Sequence, residues 1–329
     1  QNRGFAEWRH KHNHGERFAT TASLSYWKDS EVTRDFHDDI FNENQSPDTF
    51  IEAAYAGNNF FLSFFSRFRP NDFQLIQERL PEVRLDLLPT EFSDTNIYHR
   101  ASASYVQLRE KFDGNIPVLN FEKESERVDL TYRVERLFKL KDWLTLTPIA
   151  GARISNYSDR KVKNISIKKE YSREIIELGF DLEARAYASY PTINETWKVD
   201  GLRHIVRPVA RYRYFSDPDA FNKIAAIDRQ VFDLNRPLLD LSDLRNVDEI
   251  SNTHLVRLGV ETLFQTRAND YGSRNLAALN LYQDILFKKN ISYDKSTQET
   301  FNATWVELVL SPAPWLKFDL ASRFQTERI

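Results

Sequence analysis

The chain contains no cysteine and no methionine, and only 9 of its 329 residues are glycine. Without cysteine it can form neither a disulfide framework nor a thiolate metal site. It has no apolar run long enough for a membrane-spanning helix, and its mean hydropathy is −0.57. A net charge of −3 argues against a nucleic-acid-binding protein. Gly-rich phosphate loops, Gly-x-Ser-x-Gly and His-Glu-x-x-His are all missing from the sequence, so no common catalytic motif points to an enzyme.

Aromatic residues are abundant, with 24 Phe and 14 Tyr, and they favour β-strands. The run 176–186 alternates apolar with charged or small residues, so that a strand would send the two kinds to opposite faces. Low mean hydropathy does not exclude an outer-membrane barrel, because only every second residue of such a strand meets lipid. The run therefore predicts a membrane-spanning strand with one apolar and one ionic face.

The run 202–213 alternates less strictly and carries basic residues on one face, across a polar turn from the acidic run. An ionic face backed by an apolar face is typical of a barrel wall around a wet interior. We predict that the ionic sets of the two runs line the lumen: Glu177, Asp181, Glu183, Arg185, Arg203, Arg207, Arg211 and Arg213. We predict that the opposite set points outward to lipid: Ile176, Leu178, Phe180, Leu182, Val206 and Ala210.

Similar patterns along the chain predict about fourteen strands. They lie near 4–12, 16–28, 48–56, 58–69, 80–89, 97–109, 124–138, 143–156, 173–190, 202–215, 253–267, 275–288, 302–310 and 315–325. Short turns rich in Gly, Asn and Pro alternate with longer connections near 29–47, 110–123, 157–172 and 216–252. Such alternation is typical of outer-membrane barrels, whose long loops lie on the cell-surface side.

The fold expected is therefore all-β: an antiparallel transmembrane β-barrel wall over residues 1–329, incomplete as part of a larger barrel. We expect an internal piece of a longer protein, because the sequence begins at Gln1 without an initiator Met and ends at Ile329 without a terminal aromatic. One helix is expected at 225–234, ahead of Pro237. The 216–252 connection has too many apolar residues for a solvated tether, so we expect them to pack on the inner wall of the barrel or on a plug protein. They are Phe221, Ile224, Ile227, Val231, Phe232, Leu238, Leu239, Leu241 and Leu244.

Aromatic residues near the predicted strand ends suit the girdles at the two membrane interfaces. The alternative for each is packing in a core. The candidates are Trp27, Tyr55, Trp143, Tyr190, Tyr214, Trp305 and Trp315.

Several segments, in order along the chain, resemble the LptD (organic-solvent-tolerance) family. Arg203-His204-Ile205-Val206-Arg207-Pro208 followed by Arg211-Tyr212-Arg213-Tyr214 resembles a strand of that family in which a basic residue and a Pro precede a Tyr-rich run. Further resemblances lie at 3–12, at 25–30 with 34–36, at 79–85, and at 240–245 followed by 258–260. Each segment is weak alone, and the resemblance covers nearly all of the chain.

The resemblance implies part of the outer-membrane translocon that inserts lipopolysaccharide into the outer leaflet of the bacterial outer membrane. It also implies a plug lipoprotein of the LptE type and a periplasmic bridge protein that delivers lipopolysaccharide. The bridge would dock on an N-terminal jelly-roll domain that nothing in this sequence matches. We expect the chain to be the middle of the barrel wall, so that lateral-gate residues are not carried over.

Two other functions remain open from the residues themselves. One is a porin or nutrient-transporter barrel, with an open pore and no plug. The other is a soluble carbohydrate-active β-sandwich, in which the carboxylates of Glu177, Asp181 and Glu183 would act as a glycosidase pair.

Two small clusters suggest metal chemistry. His10, His12 and His14 could share one face of a strand and bind Zn²⁺ or Cu²⁺, although a turn at 13–15 would break that face. The acidic cluster at 35–39 could bind Ca²⁺ or Mg²⁺, or could be a solvated acidic loop. We expect no metal and no cofactor.

Overall fold

The computed structural model describes most of the chain. The described residues are 3–43, 48–112, 120–162, 165–167, 170–217, 223–228, 236, 238–242, 247–250, 252–268, 272–287 and 302–326.

Within the described residues, seventeen strand segments follow one another, and the long ones show the alternation seen in the sequence. Their bounds are β1 (Phe5–His14), β2 (Phe18–Trp27), β3 (Thr49–Ala56), β4 (Phe60–Phe68), β5 (Gln77–Glu91), β6 (Ile97–Phe112), β7 (Phe121–Arg136), β8 (Phe138–Lys141), β9 (Leu144–Val162), β10 (Ile165–Ile167), β11 (Tyr171–Ala184), β12 (Ala186–Asn194), β13 (Val199–Phe215), β14 (Thr253–Arg267), β15 (Ser273–Leu286), β16 (Asn302–Ala313) and β17 (Leu316–Thr326).

All pairings in the sheet are antiparallel. Both β7 and β8 pair with β9, as do both β10 and β11, while β11 and β12 pair with successive stretches of β13. Three segments therefore continue a neighbour, and the seventeen segments make fourteen strands in one meander. No pairing joins β1 to β17 among the described residues, so the sheet is open. The prediction of an all-β antiparallel barrel wall is confirmed.

The connections between hairpins alternate in length. On one side they are 15–17, 57–59, 92–96, 142–143, 195–198, 268–272 and 314–315, and on the other they include 28–48, 69–76, 216–252 and 287–301. Two expected long connections were wrong in extent. Strand β6 continues to Phe112, β7 begins at Phe121, and β9 continues to Val162 before β10. The strands are longer than expected because pairing between β7 and β9 continues to Lys123 opposite Val162.

Two short helices lie inside the first long connection, α1 (Val32–Phe36) and α2 (Asp38–Glu43), where the sequence predicted only a loop. The helix expected at 225–234 is absent from its described part, 225–228. Its remaining positions, 229–234, lie outside the described residues. Within the described ranges, no helix has the length and apolar character needed to cross a membrane.

The sheet has one ionic and one apolar face, as the alternation predicted. On β11, Glu177 is fully buried, while Ile176 and Leu178 on either side are 55% and 50% exposed. Leu182 is opposite Ala210 and Ala186 is opposite Val206, which places all of these on the same apolar face. We call the two sides the ionic face and the apolar face; the ionic face is the one that other parts of the chain cover.

The aromatic residues divide between the two interpretations. Trp143 and Trp315 are exposed in short turns, and Tyr190 and Tyr214 are exposed on their strands, as an interfacial girdle requires. The girdle interpretation is wrong for Trp27 and Trp305, which are buried on the ionic face. The Trp305 indole lies beneath Arg323 and donates to Asp284, and sequence position near a strand end could not reveal that.

Phe180→Arg should prevent or weaken assembly of the wall in membranes, because a charge near the middle of a lipid-facing strand costs about 2–4 kcal/mol. Phe180→Leu is the matched control and should assemble normally, since it keeps an apolar side chain at the same site. The measurement is the fraction of folded protein in the membrane, by heat-modifiable gel mobility. Normal assembly of Phe180→Arg would contradict the outward assignment of this face.

Candidate functional site

The acidic and basic sets predicted for the lumen meet across the β11–β13 pair. Asp181 is directly opposite Arg211, and Glu183 is opposite Val209. The Arg213 guanidinium lies 2.7 Å from Asp181 and 3.4 Å from Glu177. The Arg211 guanidinium lies between Glu183, at 3.5 Å, and Glu261, at 3.4 Å. An arginine lies within 3.5 Å of each of these carboxylates, which suits a charged wall.

A glycine makes room for the Arg213 side chain. Gly179 is opposite Arg213, and a Cβ at Gly179 would lie 2.4 Å from the Tyr212 carbonyl oxygen and 2.9 Å from the Arg213 Cδ. Arg213 can therefore lie flat across β11 and donate to the carbonyl oxygens of Phe180 and Leu239. A larger residue at 179 would displace the guanidinium from the carbonyl oxygens of Phe180 and Leu239.

The remaining residues predicted for the lumen, Arg185, Arg203 and Arg207, lie apart from the Glu177–Asp181–Arg213 group. Arg207 pairs with Glu261 on β14. Arg203 is exposed and lies over the Tyr187 ring, at 4.8 Å from its centroid. Arg185 lies between β11 and β12, exposed, and its backbone N–H donates to Trp143. That these side chains line a lumen stays a prediction.

The connection from β13 to β14, residues 216–252, packs against the ionic face in its described parts. We call those parts (223–228, 236, 238–242 and 247–250) the β13–β14 connection. Ile227 is buried with Val106 and Leu108 of β6. Leu241 is buried with Ile175 of β11 and Phe215 of β13. The expectation that apolar residues of this connection need a surface is met by the wall for Ile227 and Leu241; Leu238 is 60% exposed. Other apolar residues of that expectation, Phe221, Val231, Phe232 and Leu244, lie outside the described residues.

Asp248 is the main polar anchor of the β13–β14 connection. Its Oδ1 accepts from the Arg127 guanidinium at 2.7 Å and from the Tyr157 hydroxyl at 3.0 Å. Its Oδ2 accepts from the backbone N–H groups of Ile227 and Asp228, at 3.0 and 2.8 Å. One carboxylate thus joins β7 and β9 of the wall to two separate parts of the connection, 227–228 and the segment that contains Asp248 itself.

Two further aspartates bind wall arginines. Asp228 accepts from Arg127 at 3.0 Å, and Asp240 pairs with Arg133, at 2.7 Å, and with Arg100. Burial raises the pKa of Asp228 more than its arginine partners lower it. Burial also acts to raise the pKa of Asp240, but Arg133 and the hydrogen bonds from Ser242 outweigh it and lower that pKa to about 2. Asp240 is therefore ionised under all physiological conditions.

Arginines also hold the connection by its backbone. Arg173 donates to the Val247 carbonyl oxygen at 2.8 Å, and Arg153 to that of Leu241 at 2.5 Å. Reasoning from the sequence did not select these residues, nor Arg127 and Arg133, as site residues. A signal existed: Arg127 and Arg133 share one face of the 124–138 run, and the connection carries Asp228, Asp240 and Asp248.

The two candidate metal clusters have ordinary surroundings. His10, His12 and His14 all belong to β1, which continues through His14, so the expected interruption by a turn was wrong. His12 and His14 are in edge contact, and His14 lies 3.2 Å from the Thr20 hydroxyl. In the acidic cluster, Asp35 accepts from Arg3 at 2.7 Å. Among the described residues, no group of three or more metal-ligating side chains is placed to hold a metal.

One comparison decides the family. The family described as "LPS transport system D" matches residues 1–328 of the chain. The chain belongs to the LptD family. No curated protein matches it. Membership gives the chain a role in lipopolysaccharide transport and assembly at the outer membrane, and the LptD family is a transport family rather than an enzyme family.

Asp248→Ala should release the β13–β14 connection, because it leaves the buried Arg127 guanidinium with a single carboxylate partner, Asp228. Removing one member of a buried ion pair costs about 3–5 kcal/mol. We expect faster protease cleavage between residues 223 and 250 and a lower midpoint of thermal unfolding. Asp142→Ala, in an exposed turn, is the control and should change neither. Equal cleavage rates in the two variants would contradict the anchoring role of Asp248.

Mild acid should leave the Asp240 anchor intact. An aspartate whose pKa falls from 3.8 to about 2 on folding contributes stability above pH 3.8, and that contribution is lost as the pH falls toward 2. Because the chain has no cysteine, Leu238→Cys gives one labelling site beside Asp240. A spin label there should stay immobile from pH 7 to pH 5 and become mobile only below about pH 4. In an Asp240→Asn background it should be more mobile at pH 7; mobility equal to that of the parent would count against the anchor.

Proposed function

We propose that the chain forms part of the outer-membrane wall through which lipopolysaccharide is inserted into the outer leaflet. The observation that carries this proposal is the division of one continuous sheet into an exposed apolar face and an ionic face that is covered from within by the β13–β14 connection. The apolar face suits acyl chains in the bilayer, whereas the ionic face suits the charged saccharide part of the same molecule.

Arginine on the ionic face supports transient contact with anionic groups. Guanidinium groups remain charged and bind phosphate or carboxylate through two donors at once. Arg203 and Arg207 are exposed on this face, so they can meet such groups during passage.

The partners proposed follow from family membership and from the shape of the wall. A lipoprotein of the LptE type would fill the interior on the ionic face, and a periplasmic bridge protein would supply lipopolysaccharide. The long connections, including 216–252, would lie on the cell-surface side, as is usual for outer-membrane barrels.

Depletion of the protein tests this function directly. In cells in which its expression is switched off, newly made lipopolysaccharide should fail to reach the cell surface, and expression from a second copy should restore it. The measurement is the fraction of pulse-labelled lipopolysaccharide accessible to an enzyme added outside the cell. Normal surface display with reduced uptake of small solutes would instead favour a porin or nutrient transporter.

Replacing residues 221–249 with a short Gly-Ser linker should raise permeability to bulky antibiotics, because a wide lumen would lose its inner cover. The inhibitory concentration of such antibiotics should fall, while that of small hydrophilic ones should change little. Replacing 29–47, which lies in another long connection, is the control. Unchanged sensitivity, with the barrel assembled at normal levels, would contradict the covering role.

A further inference from the structure

A cavity of about 370 Å³ lies on the ionic face where β5, β6 and β7 meet the β13–β14 connection. Its basic residues are Arg84, Arg100 and Arg133, one from each strand. Ser102 and Thr131, directly opposite each other on β6 and β7, bring two hydroxyl groups to its lining. The cavity is therefore a concave site with charged and hydroxyl groups from three neighbouring strands.

Arg100 and Arg133 are close enough to repel each other unless an anion lies between them. Arg100 and Arg133 are directly opposite in the β6–β7 register, and like charges at opposite positions destabilise a sheet. Asp240 of the connection lies between them, at 2.7 Å from Arg133, and its Oδ2 contacts both guanidinium groups. The second carboxylate oxygen, Oδ1, accepts from the Ser242 backbone N–H at 2.9 Å and from its hydroxyl at 2.7 Å.

The arginine pair has donors to spare. Within the described part of the chain, the Nε atoms of Arg100 and Arg133 are buried and have no hydrogen-bond partner. Arg133 Nε is 3.6 Å from Glu135, too far for a hydrogen bond, and the Arg133 side chain is only 6% exposed. Glu177 also lies near this guanidinium, at 3.5 Å. Neither Nε nor Nη1 of Arg133 makes a hydrogen bond to a described residue, although three carboxylates lie within 4 Å. A phosphate offers three acceptor oxygens to such donors.

The rest of the lining suits a sugar attached to that phosphate. Phe61, directly opposite Asp86 on the ionic face, gives an apolar side on which the C–H face of a pyranose can pack. The hydroxyls of Ser102, Thr131 and Ser242 can exchange hydrogen bonds with sugar hydroxyls. Arg84 is held by Asp86 through two hydrogen bonds of 2.6–2.7 Å, which fixes its position at the cavity wall.

We propose that this cavity is a subsite for a phosphorylated sugar, and that Asp240 occupies the place of the phosphate until the ligand displaces it. The proposal rests on the proposed function for its ligand class, since lipopolysaccharide is a glycolipid with anionic groups. Displacement of Asp240 would release residues 238–242 from the wall, so that ligand binding and detachment of this arm are coupled.

Binding of glucose 1-phosphate to the whole protein, purified in detergent, tests the subsite. Inorganic phosphate and glucose are the two comparison probes, because they separate recognition of the phosphate from recognition of the sugar. Glucose 1-phosphate should bind more tightly than inorganic phosphate, and glucose should bind most weakly. Tighter binding of inorganic phosphate than of glucose 1-phosphate would overturn the sugar part of the proposal.

Variants then identify the residues. Arg133→Gln and Arg84→Gln should each weaken binding of glucose 1-phosphate roughly tenfold or more, as loss of a charged hydrogen-bond donor does. Asp240→Asn should strengthen it, because the resident competitor loses its charge. The matched control is Arg67→Gln. Arg67 lies on β4, pairs with Asp48 and does not line the cavity, so this variant should bind like the parent. Heat-modifiable gel mobility reports folding of every variant.

The proposal is overturned if Arg84→Gln and Arg133→Gln bind like the parent, or if Asp240→Asn fails to strengthen binding. Should Arg133→Gln not fold, Arg84→Gln and Asp240→Asn still decide the question. The binding assay involves no transport, so loss of binding with normal surface display of lipopolysaccharide would refute the subsite alone. Intact binding with no role in surface display would refute the proposed function alone.

Discussion

The structure depends on the neutralisation of arginines buried on the ionic face. Arg127 and Arg133 find carboxylates chiefly in the β13–β14 connection, at Asp228, Asp240 and Asp248. A buried charge without a partner costs several kcal/mol. The wall and its covering segment therefore stabilise each other: the connection excludes water from these arginines and supplies the carboxylates that neutralise them.

The features that could be predicted from the sequence are those that follow from the two-residue alternation of a strand: the number of strands and the face on which each side chain lies. Alternation in 176–186 and 202–213 assigned Glu177 and Arg213 to one face and Phe180 to the other, because each side of a strand meets a different environment. Fourteen strands could be counted for the same reason. What the pattern lacks is register: the contact of Arg213 with both Glu177 and Asp181 depends on its position opposite Gly179.

The covering connection could be predicted only in part. Its length and apolar content indicated that it packs on something, yet its irregular backbone has no period from which partners can be read. The contact of Leu241 with Ile175, and that of Asp248 with Tyr157, join residues far apart in sequence. Such contacts are specified by the folded surface as a whole. The described part of the expected 225–234 helix, residues 225–228, is irregular, and Asp248 accepts from the backbone N–H groups of Ile227 and Asp228.

The lengths of β6, β7 and β9 have a consequence outside the membrane. These strands have 16, 16 and 19 residues, whereas about 9–11 tilted residues cross the hydrocarbon. In the orientation proposed above, the surplus residues would extend beyond the bilayer on the side of the long connections and carry Glu122, Glu124 and Lys161. This part of the wall would then stand as a rim among the surface saccharides, beyond the lipid.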